Sequence, residues 1–160
     1  GAKGTARGFY STSQFFGAFL GGAAGGALAG WGPEYTVTTA GGIRVVAPPF
    51  ARFPYETWLV PEVFTPGPWA FGEEQVDAFS HLIGDMTRRY DALFGRATPY
   101  MLSLHAAPKG EETTFHFTAQ FYPLLRAPDK VKYLASVEQS TGLFTVDIMP
   151  EQAAAALKDL

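Results

Sequence analysis

The chain contains no cysteine, which excludes disulfides, thiolate metal sites and a cysteine nucleophile. Histidine is scarce: His81, His105 and His116 are the three present. Positive charge is not in excess, since the formal net charge is -3, so no basic field argues for a nucleic-acid partner. Charge of either sign is missing between Gly8 and Pro33, and the first carboxylate is Glu34. Apolar residues are plentiful instead, at 47% hydrophobic and 15% aromatic. That composition excludes a disordered chain, and 160 residues suit one domain with a sizeable core.

The uncharged stretch sets the N-terminal part apart. Phe15–Trp31 reads FFGAFLGGAAGGALAGW, with Phe9 and Tyr10 before it and Trp31 and Tyr35 at its far margin. A membrane span needs about 20 mostly apolar residues with aromatic side chains at the interfaces, so a helix over residues 14–33 is expected to cross or enter a membrane. Gly17, Gly21 and Gly25 form one series at intervals of four, and Gly22, Gly26 and Gly30 another. Small residues so spaced make a packing surface for a partner helix. A buried segment in a water-soluble protein and a flexible Gly/Ala linker are the alternatives, although linkers carry Ser, Thr or charge more often than Phe-Phe. Residues 1–13, GAKGTARGFYSTS, are basic, acid-free and hydroxyl-rich, as in an organelle transit peptide or its remnant.

Residues 34–160 read as the folded domain. Tyr35–Thr39 and Ile43–Ala47 are β-rich and flank Ala40-Gly41-Gly42, which predicts a hairpin. Thr57–Val60 is a further strand candidate between prolines. Over Glu73–Phe94 the apolar residues Val76, Phe79, Leu82, Ile83, Met86, Tyr90 and Leu93 recur at spacings of three and four, which predicts an amphipathic helix that Gly95 stops. Its charges are expected on a solvated face. Strands are expected over Tyr100–Ala106 and Thr113–Tyr122, and a last helix from Pro150 to the C-terminus. The class is α+β, a mainly antiparallel sheet with helices packed on it.

Alternation along Thr113–Tyr122 puts Phe115, Phe117, Ala119 and Phe121 on a core face and His116, Thr118, Gln120 and Tyr122 on the other. In the preceding strand Ser103 and His105 share a face, so pairing would bring His105 towards that polar row. Two histidines are a start for a metal, but zinc needs at least three protein ligands. Hydrogen-bonded structural roles for His105 and His116 are the plainer reading.

The segments ARFPYETWLVP (51–61), RRYDALFG (88–95), PYMLSLHAAP (99–108), FHFTAQFYPLLRAPDKVKYLA (115–135) and TVDIMPEQAAAALKDL (145–160) resemble, in order and at nearly constant spacing, the second half of galactose-1-phosphate uridylyltransferase, of the histidine-triad superfold. The resemblance implies a histidine-triad-like half domain. It also implies a first half with a His-Pro-His motif whose histidine accepts the uridylyl group; no such motif stands in these residues. Where the family carries His-x-His or His-x-Glu before Phe-Tyr-Pro as metal ligands or active-site contacts, this chain has Thr118 and Gln120, poor ligands for a divalent metal. His105 matches the family's histidine in the strand before. Lys130, Lys132, Tyr133 and Glu138 fall in a stretch that resembles the family's nucleotide-contacting segment, and are either vestigial nucleotide contacts or surface packing.

Together these readings lead to a degenerate enzyme fold with altered site positions His105, His116, Thr118 and Gln120, no catalytic residue, no metal and no cofactor. The expected role is a non-catalytic accessory subunit of a membrane complex in the mitochondrial inner membrane, of respiratory-chain or ATP-synthase type. Its expected partners are membrane subunits and the bilayer through the N-terminal helix, and other soluble subunits through the domain. The alternatives are one half of a split nucleotide-sugar uridylyltransferase, or a nucleotide-binding sensor.

Overall fold

The computed structural model describes residues 31–160. Among them, five strands form one sheet: β1 (Thr36–Ala40), β2 (Ile43–Val46), β3 (Thr57–Pro61), β4 (Tyr100–His105) and β5 (Thr118–Pro123), in the order β1-β2-β3-β5-β4. Every neighbouring pair is antiparallel. Helix α1 (Glu73–Phe94) lies between β3 and β4 in sequence. A short hairpin of β6 (Leu125–Ala127) and β7 (Lys130–Val131), then α2 (Ser136–Thr141) and α3 (Pro150–Lys158), complete the chain.

The local chemistry of these elements follows the sequence closely. Gly41 and Gly42 turn between β1 and β2 with φ of 51° and 70°, the pair of positive values that a tight primed hairpin turn requires. A Cβ on Gly41 would stand 2.4 Å from that of Ala78 on α1, so the turn is also a close approach of strand to helix. Glu73 and Glu74 occupy the first turn of α1, where carboxylates favour the positive end of the helix dipole. Gly95 at φ 65° ends the helix, with the Arg96 amide donating back to the Asp91 carbonyl.

One sheet face packs on the helices. Val37, Ile43, Val45, Leu59, Phe117, Ala119 and Phe121 from the sheet meet Leu82, Met86 and Tyr90 of α1 and Ala154 and Leu157 of α3. Val76, expected on this apolar stripe, is exposed in the first helical turn. Arg89, expected on the solvated face, is mostly covered. It pairs with Asp85 at 2.7 Å and donates to the Leu157 carbonyl at 2.6 Å, so its cation caps the C-terminal end of α3.

The α+β class with a mainly antiparallel sheet describes the molecule; the N-terminal element needs correction. Residues 1–30, and with them the leader over 1–13, most of the expected helix over 14–33 and the six packing glycines, lie outside the described residues. The part that is described departs from the expectation. Trp31 stands at a bend and Pro33–Tyr35 forms a 3-10 turn. The Trp31 ring is edge-on to Phe50 at 5.5 Å and joins Val46, Trp58 and Val60 on the second sheet face, and the Tyr35 hydroxyl donates to Glu151 at 2.9 Å. Two aromatics assigned to a bilayer interface are therefore engaged with the domain. Among the described residues, no helix is long and apolar enough to cross a membrane.

Candidate functional site

The second sheet face carries the polar row expected from alternation, and it is more deeply covered than a solvated face. His116, Thr118, Gln120 and Tyr122 are all buried. Register sets His105 opposite Thr118, and Ser103 opposite Gln120. On β3, Trp58 faces Gln120 from the other side.

Within the row the hydrogen bonds run in one direction. An Arg52 N–H donates to the Tyr122 hydroxyl at 2.5 Å. The Tyr122 hydroxyl donates to Gln120 Oε1, and Gln120 Nε2 donates to Thr118 Oγ1 at 3.0 Å. The guanidinium fixes this polarity, because arginine has donors and no acceptor. Burial pushes the Tyr122 hydroxyl up to about 12 despite the opposing pull of Arg52, so it remains a donor across the physiological range.

Arg52 is itself positioned by a bent, strained turn. The Glu56 carboxylate, almost wholly buried, accepts the amides of Arg52 (2.7 Å) and Phe53 (3.1 Å) through Oε2 and the Trp58 indole (2.8 Å) through Oε1. Burial raises its pKa in spite of these donors and of the Arg52 charge. Tyr55 adopts φ 59°, a left-handed conformation uncommon for a residue with a side chain. Its carbonyl accepts from the Tyr90 hydroxyl at 3.0 Å and its ring packs on Phe94. The turn is thus tied to α1 on one side and to β3 on the other. Above the row, the Arg52 guanidinium lies 5.0 Å from the Tyr122 ring centroid and 5.9 Å from that of Phe144, within cation–π reach.

His116 does not join this array, although it lies on the same strand face. Its Nε2–H donates to the Pro61 carbonyl at 2.8 Å, its Nδ1 accepts the Thr65 amide at 3.0 Å, and Phe64 stacks on the ring. Burial lowers its pKa, and an Nδ1 that accepts an amide has no lone pair left for a proton. These bonds also shorten β5 relative to the expected Thr113–Tyr122. Residues 111–115 close a tight turn onto Glu111, and the Phe117 amide goes to the Thr65 carbonyl, so the ladder begins only at Thr118. His105 is the contrasting case. Its Nε2 is buried without a partner, and its pKa is lowered by burial first and by the Arg52 charge second. His81 stays apart, exposed on α1.

The second predicted group divides. Lys132 and Glu138 meet as a buried ion pair at 2.8 Å. Lys132 also donates to the Thr145 carbonyl at 2.7 Å, and Glu138 accepts the Ala135 amide at 2.6 Å and the Thr145 amide at 2.9 Å. The Lys132 bond first, then the two amides, hold the Glu138 carboxyl down at about 2. The pair pins the segment that carries Phe144 over Arg52. Tyr133 and Lys130 are exposed and take no part in it.

As a donor set for a metal of the kind the resemblance implies, one imidazole, a hydroxyl and an amide already bonded to each other do not fit. Among the described residues, no three His, Asp or Glu gather to hold an ion. The array can instead present a fixed cation, a buried neutral imidazole and oriented dipoles. Sequence reasoning missed Arg52 and Glu56 as site residues, although both lie in the ARFPYETWLVP segment (51–61) that carries the resemblance.

Comparison with known proteins accords with this architecture. No protein-family model matches the chain. The galactose-1-phosphate uridylyltransferase of Thermotoga maritima is 35% identical over 131 residues, covering 80% of this chain and 41% of that protein. A solved uridylyltransferase structure superposes with a TM-score of 0.78 at 23% identity, covering 96% of this chain and 49% of the other. A zinc-bound histidine triad family protein of Mycobacterium smegmatis gives 0.56 at 12% identity, a likeness of fold alone. The chain is therefore partly homologous to the galactose-1-phosphate uridylyltransferases, and its fold is that of the histidine-triad superfamily. It spans about two fifths of the length of the Thermotoga protein.

These findings correct the accessory-subunit expectation. The relatives it matches are uridylyltransferases, and among the described residues no helix is long and apolar enough to cross a membrane as the expected partners require. Nothing in the described residues points to the mitochondrial inner membrane.

Proposed function

We propose that this domain is the second half of a uridylyl-transfer site, one that binds a nucleotide sugar or hexose 1-phosphate and turns over nothing by itself. The observation that carries the reading is the 35% identity to the Thermotoga uridylyltransferase over 131 residues. His116 is spent on backbone groups and His81 sits apart on a helix, so this reading takes neither as the phosphoryl acceptor. In this reading the accepting histidine is supplied by the part of the transferase that this chain does not match. What this half supplies is orientation and a preset electrostatic environment. The Lys132–Glu138 pair serves it by holding the segment from β7 to Phe144 in one conformation.

Complementation tests this directly. The chain is mixed with the part of the Thermotoga relative that it does not match, and uridylyl exchange between UDP-glucose and galactose 1-phosphate is followed. Exchange in the mixture alone, lost with His105→Ala, is the expected result. Absence of exchange, together with no calorimetric heat from UDP-glucose at millimolar concentration, would remove the reading.

A further inference from the structure

His116 has no part in the proposed transfer, and its hydrogen bonds hold more than its own ring. The segment that follows β3 buries little apolar surface. Val63 and Phe64 are 74% and 47% exposed, and neither they nor Pro66 join the two apolar clusters of the domain. Polar contacts fix the segment instead. The buried Thr65 donates its amide to His116 Nδ1 at 3.0 Å, and its carbonyl accepts the Phe117 amide at 2.7 Å. The Pro66 carbonyl accepts the Ala107 amide at 2.7 Å. These bonds set the segment against the ends of β4 and β5, where His105 and Thr118 stand opposite each other. Because Nε2–H donates to Pro61, Nδ1 is the one basic site on the ring, and it already accepts an amide. The ionisable groups of the neighbouring elements are engaged elsewhere. Glu62 pairs with Arg44 at 3.1 Å, Glu111 and Glu112 accept from Thr114 and Gly110, Lys109 is exposed, and His105 is itself depressed by burial. Burial, not a neighbouring charge, lowers the His116 pKa.

We infer that His116 is an acid-released latch: a proton on Nδ1 breaks its bond with the Thr65 amide and frees the segment Val63–Pro66 from the ends of β4 and β5. An imidazolium donates at both nitrogens, so a protonated Nδ1 and the Thr65 N–H would face each other donor to donor. The ring is only 2% exposed, and a charge there also loses its hydration. The proton is therefore bound only once the amide has moved away and water reaches the ring. Phe64 follows, because its stack on the ring is lost. The closed state holds the proton less well than a free histidine does. Closure is thus complete above the free value, about 6.5, and weakens as pH falls below it. One proton sets the limit at about a tenfold rise in the open population per pH unit. The two backbone bonds that remain carry little apolar burial behind them, as in segments that open without global unfolding. This device does not depend on the uridylyl-transfer reading.

Amide hydrogen exchange of the 160-residue chain, followed by NMR from pH 8 to pH 5 and expressed relative to the intrinsic rate at each pH, reads the opening directly. Protection at Thr65 and Phe117 is expected to stay constant above about pH 6.5 and to fall by up to about tenfold per unit below it. The amides paired between β2 and β3 are expected to keep theirs. Constant protection at Thr65 across the range would overturn the latch. So would an equal fall in β2 and β3, which is global unfolding rather than local release. His116→Gln offers an acceptor and a donor but no basic site. It is expected to leave Thr65 protected and to abolish the pH dependence, and a pH dependence that persists in it would count against the latch. Should His116→Gln fail to fold, the ring nitrogen signals of the parent replace it. The neutral Nε2–H form is expected to give way to imidazolium in step with the loss of Thr65 protection. An imidazolium formed beside a still protected Thr65 amide would overturn the inference.

Discussion

At the scale of single residues, the same side-chain type is put to opposite uses by its surroundings. His116 satisfies two backbone groups that no solvent reaches, whereas His105 keeps an unspent nitrogen in half-buried surroundings. Replacing His116 with phenylalanine keeps the stack on Phe64 but orphans the Pro61 carbonyl and the Thr65 amide. Leaving a buried polar group unpaired costs about 1–3 kcal/mol, so His116→Phe is expected to lower stability by about 2–4 kcal/mol in urea denaturation, with little change in the urea dependence (m-value). Glu138 gives a pH signature. Its folded pKa, near 2, lies below the unfolded value of 4.5, so its contribution is complete above pH 4.5 and is lost as pH falls towards 2. Glu138→Gln is expected to lower stability at pH 7 and to flatten the pH dependence between 4.5 and 2.

At the scale of elements, the turns and caps carry more than their length suggests. Gly41→Ala would force a Cβ against Ala78 and a residue with a side chain into φ 51°. It is expected to cost about 2–3 kcal/mol by thermal unfolding. Gly42→Ala meets nothing within 4 Å and should cost only about 1 kcal/mol, the conformational penalty alone. Arg89→Ala removes both the Asp85 pair and the donors to the end of α3. A loss of about 1–2 kcal/mol is expected, accompanied by faster amide exchange in the last turn of α3 than in α1. Equal exchange changes in both helices would mean that Arg89 acts through α1 instead.

At the scale of the whole molecule, the sheet separates two environments. One face is an apolar core under two helices, and the other a buried polar array under a loop and the Phe144 segment. Both histidines of the polar side have depressed pKa values, mainly through burial. A histidine kept neutral in the fold binds fewer protons than it does unfolded, so stability should fall as pH drops below about 6.5. Glu56 works in the reverse sense. Its raised pKa means that stability is greatest below pH 4.5 and is lost as pH rises through the folded value. A denaturation series from pH 8 to 3 is therefore expected to show a decline starting near 6.5. In His116→Phe that decline should shrink; an unchanged slope would mean that other groups govern it.

How far these features were legible depends on the range of the forces behind them. The sequence determined the α1 boundaries, the β1–β2 turn, the face alternation of β5 and the resemblance to the transferase half. These rest on local rules, namely a 3.6-residue or two-residue period, left-handed glycines, and side-chain chemistry in register with a known pattern. The N-terminal margin was misjudged for the same reason. Trp31 and Tyr35 read as an interfacial belt when judged only by neighbours in sequence, whereas Val46, Trp58 and Glu151 claim them. The polarity of the array was likewise not legible. Arg52 meets Tyr122 across seventy residues, His116 meets Pro61 across fifty-five, and Glu56 turns inward through a strained Tyr55. Sequence assigned the side chains to faces. Only tertiary structure decided which of them would be spent on one another and which left free, because burial and hydrogen bonding depend on groups that meet only when the chain is folded.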